Sequence, residues 1–171
     1  MLWSSGGDGT FSNPDELTTY YYPGTTDITS GEVFLTLTPE GEPPDNSGMP
    51  DEMLLTIVSP ASLSVENDFI NICENEPVFP VASASDYGTL IWTTSGDGYF
   101  IDSQVTEPEY IPGSQDIASG EVTLTVTVTS VSPCTGNISE NILVNITETP
   151  QASAGNNASV CEGNNFMLNG T

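Results

Sequence analysis

Lysine, arginine and histidine are missing from all 171 residues, while aspartate and glutamate together number 24, so the formal charge is −24. Binding to nucleic acid needs cations that displace the counterions around phosphates, and attraction to anionic lipid headgroups needs the same. Nucleic acid is therefore excluded as a partner. Catalysis loses histidine as a proton shuttle near neutral pH, lysine as an amine nucleophile and arginine as an oxyanion clamp. Side-chain salt bridges cannot form. Each carboxylate must be solvated, hydrogen-bonded by neutral donors, or neutralised by a bound cation.

Long apolar runs are also missing. None approaches the length that crosses a bilayer, which argues against direct membrane insertion, and Met1 to Ser5 lack the basic flank of a signal peptide. An export signal is expected elsewhere in a longer polypeptide. Cysteine is scarce: the chain has three, with no CxxC pair and no histidine beside them. In a chain rich in Thr, Ser, Gly and Asn this usage fits an oxidising compartment better than a metal site. The expected location is extracellular, at the cell surface.

Such charge with little apolar content would imply disorder. Here 36% of residues are hydrophobic, with two Trp, six Tyr and six Phe, which is enough to build a core. Those residues fall into an internal repeat. At an offset of 89 residues, Trp3 to Thr38 matches Trp92 to Thr127 at 17 of 36 positions without a gap; composition alone would give about two or three. The shared residues are Trp, then Gly-Asp-Gly and Phe, then Tyr-x-Pro-Gly, then Asp-Ile-x-Ser-Gly-Glu-Val. The register continues with Met53, Leu55 and Ile57 opposite Ile142, Val144 and Ile146, and each unit closes at a proline, Pro60 or Pro150. Beyond it, Ile72-Cys73-Glu74 recurs as Val160-Cys161-Glu162.

This frame predicts a repeat lacking its opening strands at 1–58, a complete repeat at 61–148, and the opening strands of a further repeat at 151–171. The simpler account is a segment cut out of phase with its repeats. In the other, the trailing strands of one molecule complete the first repeat of another by β-strand addition, giving head-to-tail fibres.

Glu121 to Val131 alternates Val122, Leu124, Val126 and Val128 against threonines, the two-residue period of a half-buried strand. Ile142, Val144 and Ile146 predict another strand, as do Phe69 to Cys73, Val78 to Ala82 and Leu90 to Thr94. No stretch shows a helical period over a useful length. Asp8-Gly9 and Asp97-Gly98, each between a Trp and a Phe, predict hairpin turns with positive φ rather than calcium loops, whose alternating carboxylates are missing. About seven short strands per repeat predict an all-β fold of tandem immunoglobulin-like antiparallel β-sandwich repeats. Trp3 and Trp92 are expected in the cores, and sugar stacking is the competing role.

Cys73 and Cys134, the two cysteines of the complete repeat, are expected to form a disulfide closing a loop of about 60 residues, worth about 4 kcal/mol in the chain-entropy model. Cys161 is expected to be a free thiol. Glu42-Pro43-Pro44 stands near where the first repeat would carry its second cysteine. Among the acids, Glu66, Asp68, Glu74 and Glu148 are the candidate metal ligands, for calcium at junctions between repeats; a solvated repulsive surface is the other reading. Asn137, Asn145, Asn157 and Asn169 begin Asn-x-Ser/Thr sequons. Of Tyr20-Tyr21-Tyr22, one ring is expected to be buried as Tyr110 is, leaving another for the surface. A pair of acids could serve a glycosidase, but nothing marks a cleft.

The string Trp-x-x-Ser/Gly-Gly-Asp-Gly-x-Phe, then Tyr-x-Pro-Gly-x-x-Asp-Ile-x-Ser-Gly-Glu-Val-x-Leu-Thr, with Pro-Cys and Ile/Val-Cys-Glu following, resembles repeats of giant surface adhesins of Bacteroidetes. The SprB-like gliding-motility adhesins are the nearest family. The resemblance implies export by the type 9 secretion system, display as filaments outside the outer membrane, and surface attachment. The expected function is a non-catalytic adhesive stalk, whose partners are neighbouring repeats, surface polysaccharide or other copies of itself. A carbohydrate-binding module is the alternative.

Overall fold

The computed structural model describes residues 1–41 and 48–171. The Glu42-Pro43-Pro44 segment falls outside the described residues. Among the described residues thirteen strands and two short helices follow one another. They are β1 (Leu2–Ser5), β2 (Thr10–Phe11), β3 (Tyr21–Tyr22), α1 (Thr25–Ser30), β4 (Glu32–Thr38) and β5 (Asp51–Thr56). Then come β6 (Ser62–Val65), β7 (Phe69–Cys73), β8 (Ala82–Ser85), β9 (Tyr87–Thr94), β10 (Tyr99–Phe100) and β11 (Tyr110–Ile111). The order ends with α2 (Ser114–Ser119), β12 (Glu121–Ser130) and β13 (Asn137–Thr147). The fold is all-β, as the alternating sequence predicts, and each helix has only six residues. Six residues make less than two turns, too short for a helical period to show.

The chain divides into two compact units. Unit 1 comprises Met1–Leu63, Ala84–Thr89 and Val128–Ile138; unit 2 comprises Ser64–Ser83, Leu90–Thr127 and Ser139–Thr171. Unit 1 contains an antiparallel sheet of order β1-β4-β5, with Trp3 opposite Leu37 and Leu35 opposite Met53. Its second pair, β2 with β3, places Phe11 opposite Tyr21.

The larger sheet has the order β7-β13-β12-β9, and β10 pairs with β11 as β2 does with β3. Its core in unit 2 is the predicted alternating face. Leu124, Val126, Ile142 and Val144 are 0% exposed, and Trp92 and Val122 are nearly so. Each such side chain contributes about 1.5–3 kcal/mol by leaving water. The opposite face of β12 and β13 is held by hydroxyls: Thr125 Oγ1 donates to Asn141 Oδ1 at 2.7 Å, and the Thr127 and Ser139 hydroxyls lie 2.8 Å apart. One pairing departs from the expected antiparallel pattern. β7 runs parallel to β13, with Ile70 opposite Val144 and Ile72 opposite Ile146. Parallel neighbours need a long connection, and here the body of the repeat supplies it. Of the predicted Val78 to Ala82 strand, Val78 makes a single bridge to Tyr110 and Ala82 begins β8.

The two copies of the repeat differ in burial. Ile142 is fully buried, whereas Met53, its counterpart at the 89-residue offset, is 49% exposed. Ile142→Ala should therefore lower stability by about 2–4 kcal/mol, and Met53→Ala by less than about 1 kcal/mol. Urea denaturation followed by tryptophan fluorescence measures both, and equal losses would contradict the difference in packing.

Candidate functional site

The residues shared most strictly by the two repeats surround one buried carboxylate in each. Asp27 and Asp116 are both 2% exposed. Asp116 accepts hydrogen bonds from the backbone N–H groups of Asp97 (3.1 Å), Gly98 (3.1 Å) and Gly113 (2.9 Å), and from the Tyr110 hydroxyl at 2.7 Å. Asp27 does the same with Asp8 (3.3 Å), Gly9 (3.1 Å), Gly24 (3.0 Å) and the Tyr21 hydroxyl (2.5 Å). The neighbouring acid reciprocates. Asp8 accepts from the N–H groups of Thr26 and Asp27, and Asp97 from those of Gln115 and Asp116. Each helix begins at a glycine, which has no side chain to cap it, so an aspartate from a distant loop takes the orphan donors of the first turn. Gly31 and Gly120 end the helices at φ 76°, in the left-handed region that glycine occupies without strain.

This geometry corrects the turn expectation. Asp8-Gly9 and Asp97-Gly98 do not form hairpins, because β1 pairs with β4 while β2 pairs with β3, and none of the four residues has positive φ. The loop passes from one sheet to another. Glycine is needed there for space: a Cβ on Gly7 or Gly96 would strike the carboxylate of Asp27 or Asp116. Sequence reading assigned no role to Asp27 or Asp116. The signal was present, since a polar motif repeated without change in two copies marks fixed geometry rather than core volume.

An aromatic ladder leads to each lock. Trp92, Phe100 and Tyr110 have successive ring centroids 5.9 and 4.8 Å apart; Trp3, Phe11 and Tyr21 are spaced 6.3 and 4.9 Å. Trp92 Nε1 donates to the Val105 carbonyl at 3.0 Å. Trp92 is a core residue, whereas Trp3 is half-buried and lines an open apolar groove with Phe11, Thr19, Tyr21, Leu35 and Met53. Tyr21 is half-buried, and Tyr20 and Tyr22 on either side of it are 74% and 57% exposed.

The predicted disulfide is also corrected: Cys73, Cys134 and Cys161 are all free thiols. Cys73 stands opposite Thr147, the last residue of β13, whereas Cys134 precedes Asn137, its first. Cys134 instead donates its thiol to the Val58 carbonyl at 3.3 Å.

The four candidate metal ligands are not brought together. Asp68 adjoins the start of β7, where its carbonyl accepts from Leu143, and Glu66 lies two residues earlier. Glu74 adjoins the other end, donating to Thr147, and Glu148 follows Thr147. The five residues of β7 stand between the pairs. Among the described residues no three acids or thiols form a metal cage.

No family model matches the chain, and no curated protein matches it in sequence. Among solved structures it is similar to the extracellular cadherin domains 3–6 of protocadherin gamma B2, at 12% identity and a TM-score of 0.39, over 86% of this chain and 40% of that one. Domains 1–5 of the same protein align at the same identity and score, over 88% and 33%. The chain thus spans less than half the length of either.

The locks give the fold its pH window. The Tyr21 hydroxyl and the Gly24 N–H hold the Asp27 carboxyl below its ordinary 3.8, and the Thr26 N–H does so for Asp8. Burial, and then the adjacent carboxylate, raises the hydroxyls of Tyr21 and Tyr110 above 10.0. A lowered acid stabilises fully above its unfolded value and loses that contribution as pH falls through the folded one; a raised tyrosine stabilises below its unfolded value and loses it as pH climbs. Thermal melts should therefore drop below pH 3.8 and above pH 10. Asp27→Asn should flatten the acid limb while lowering the midpoint at pH 7, because an amide cannot accept from all the donors gathered there. An acid limb unchanged in the variant would count against the lock.

Proposed function

We infer that this chain is a structural and adhesive repeat segment of a long secreted cell-surface protein, serving attachment without catalysis. The observation that carries this reading is the same lock, ladder and sheet pairing built twice along one polypeptide at a fixed spacing of 89 residues. Reach comes from repetition, and each repeat adds about 35 Å if its strands run along the axis. Short proline-closed connections at Pro60 and Pro150 support a stiff stalk. A surface free of basic side chains suits display outside a cell, where it repels other acidic polymers. The motif resemblance to SprB-like adhesins supports the finer reading: type 9 export, anchoring at the outer membrane through other parts of the parent protein, and service in gliding.

A second reading has its own observation. Tyr20 and Tyr22 are two residues apart at a strand and both exposed, so their rings share one face, as an aromatic platform for polysaccharide requires. The aligned positions in the second repeat are Glu109 and Ile111, so such a platform would belong to the first repeat alone.

Beads coated with the chain should adhere to glass and polysaccharide surfaces more than beads coated with an acidic control protein of equal charge. The stalk reading expects Tyr20→Ala/Tyr22→Ala to leave adhesion unchanged, while the carbohydrate reading expects polysaccharide binding to fall about tenfold. Adhesion no better than the control's would defeat both.

A further inference from the structure

One face of the larger sheet is neither core nor charged. Along β13 the residues that alternate with the buried Ile142, Val144 and Ile146 point the other way: Asn141, Leu143 and Asn145. The register with β7 sets Phe69 beside Leu143 and Asn71 beside Asn145, while Thr125 of β12 donates to Asn141 at 2.7 Å. All six belong to unit 2. Phe69 is 46% exposed and Leu143 36%, and Asn71 and Asn141 are exposed beside them. Three amides and a hydroxyl thus surround an apolar step.

The carboxylates stop at the rim of this face. Asp68 precedes β7 and Glu74 follows it, Glu121 begins β12, and Glu148 follows β13. No basic side chain answers them, so they repel a polymer that carries carboxylate or sulfate once it comes within about 8–10 Å. An uncharged polymer meets no such barrier. The first repeat differs at the same place, because the residue aligned with Asn141 is Glu52, which accepts from the Thr36 hydroxyl at 3.3 Å.

Size and chemistry narrow the occupant. The sheet is four strands wide and β7 is five residues long, so the face covers roughly 300 Å² at the usual strand spacing and rise. A stable protein–protein interface takes about 800 Å² from each partner, which argues against a second copy of the chain. A single linear polymer needs far less. Sugar rings present C–H groups on their faces and hydroxyls at their edges; Phe69 and Leu143 suit the first, and amides, which donate and accept at once, suit the second.

We propose that the outer face of β7 and β13 binds an uncharged polysaccharide, with Phe69 against a sugar ring and Asn71, Asn141 and Asn145 on its hydroxyls. This rests on the adhesive reading above and gives it a partner and a place.

Native affinity electrophoresis of the full chain tests it, with hydroxyethylcellulose, soluble starch or mannan cast in the gel, alginate as the acidic polymer, and a chelator present throughout. At least one uncharged polymer should retard the chain and alginate should not. Phe69→Ala trims an exposed ring, and Asn141→Glu installs the residue that the first repeat already holds, so the circular dichroism of both variants should persist. Each should raise the polymer concentration for half-retardation about tenfold or more. Retardation by none of the uncharged polymers would overturn the proposal, and bead adhesion persisting beside that result would leave the adhesive reading standing. Retardation by alginate as strong as by the others would overturn it too. So would retardation that survives both sheet variants and is lost in Tyr20→Ala/Tyr22→Ala, which would move the site to the first repeat, or a dimer in sedimentation that Phe69→Ala dissolves, which would give the face to a second copy.

Discussion

With no basic side chain available, a carboxylate can stay buried and charged only if neutral donors converge on it. Asp27 and Asp116 meet this condition by collecting backbone N–H groups from two loops and one tyrosine hydroxyl. Among the described residues no buried side-chain nitrogen or oxygen lacks a partner. Each lock fixes in a single contact the loop that leaves the first strand, the entry of the short helix and the end of the aromatic ladder. The sheets supply apolar burial, and the carboxylate sets how the connections between them are placed.

The two repeats form an internal comparison. Hydrogen bonds around the locks agree within a few tenths of an ångström, although the apolar faces beside them are covered to different extents. Lock geometry is thus local, set by residues within a span of about twenty positions, whereas burial of the ladder depends on strands contributed from farther along the chain. The parallel partner of β13 shows the same division. Its pairing is long-range, and the half with no such partner among the described residues keeps its lock all the same.

Much of the fold was legible because its signals are short-range. Alternation marked β12 and β13, and the repeat marked which residues play equivalent parts. The helices α1 and α2 were hidden because fewer than two turns produce no period. The Asp-Gly pairs were misread because a hairpin turn and a sheet-to-sheet corner use the same residues for different reasons, positive φ in one and lack of space in the other. The disulfide failed because cysteine count says nothing of direction: Cys73 ends β7 beside the last residue of β13, and Cys134 precedes the first residue of β13. Of the lock, sequence exposed the identities but not their convergence, since Asp8 and Asp27 are nineteen residues apart.

The hydroxyl pairs that tie β12 to β13 carry no charge, so dissolved ions have no attraction between side chains to weaken there. What they can weaken is the mutual repulsion of two dozen carboxylates, which at 0.1 M is cut off beyond about 10 Å. Most proteins trade some favourable ion pairing for relief of unfavourable pairing as brine thickens. Here, apart from the Met1 amine beside Glu40, the exchange runs in one direction, towards relief of repulsion as ionic strength rises.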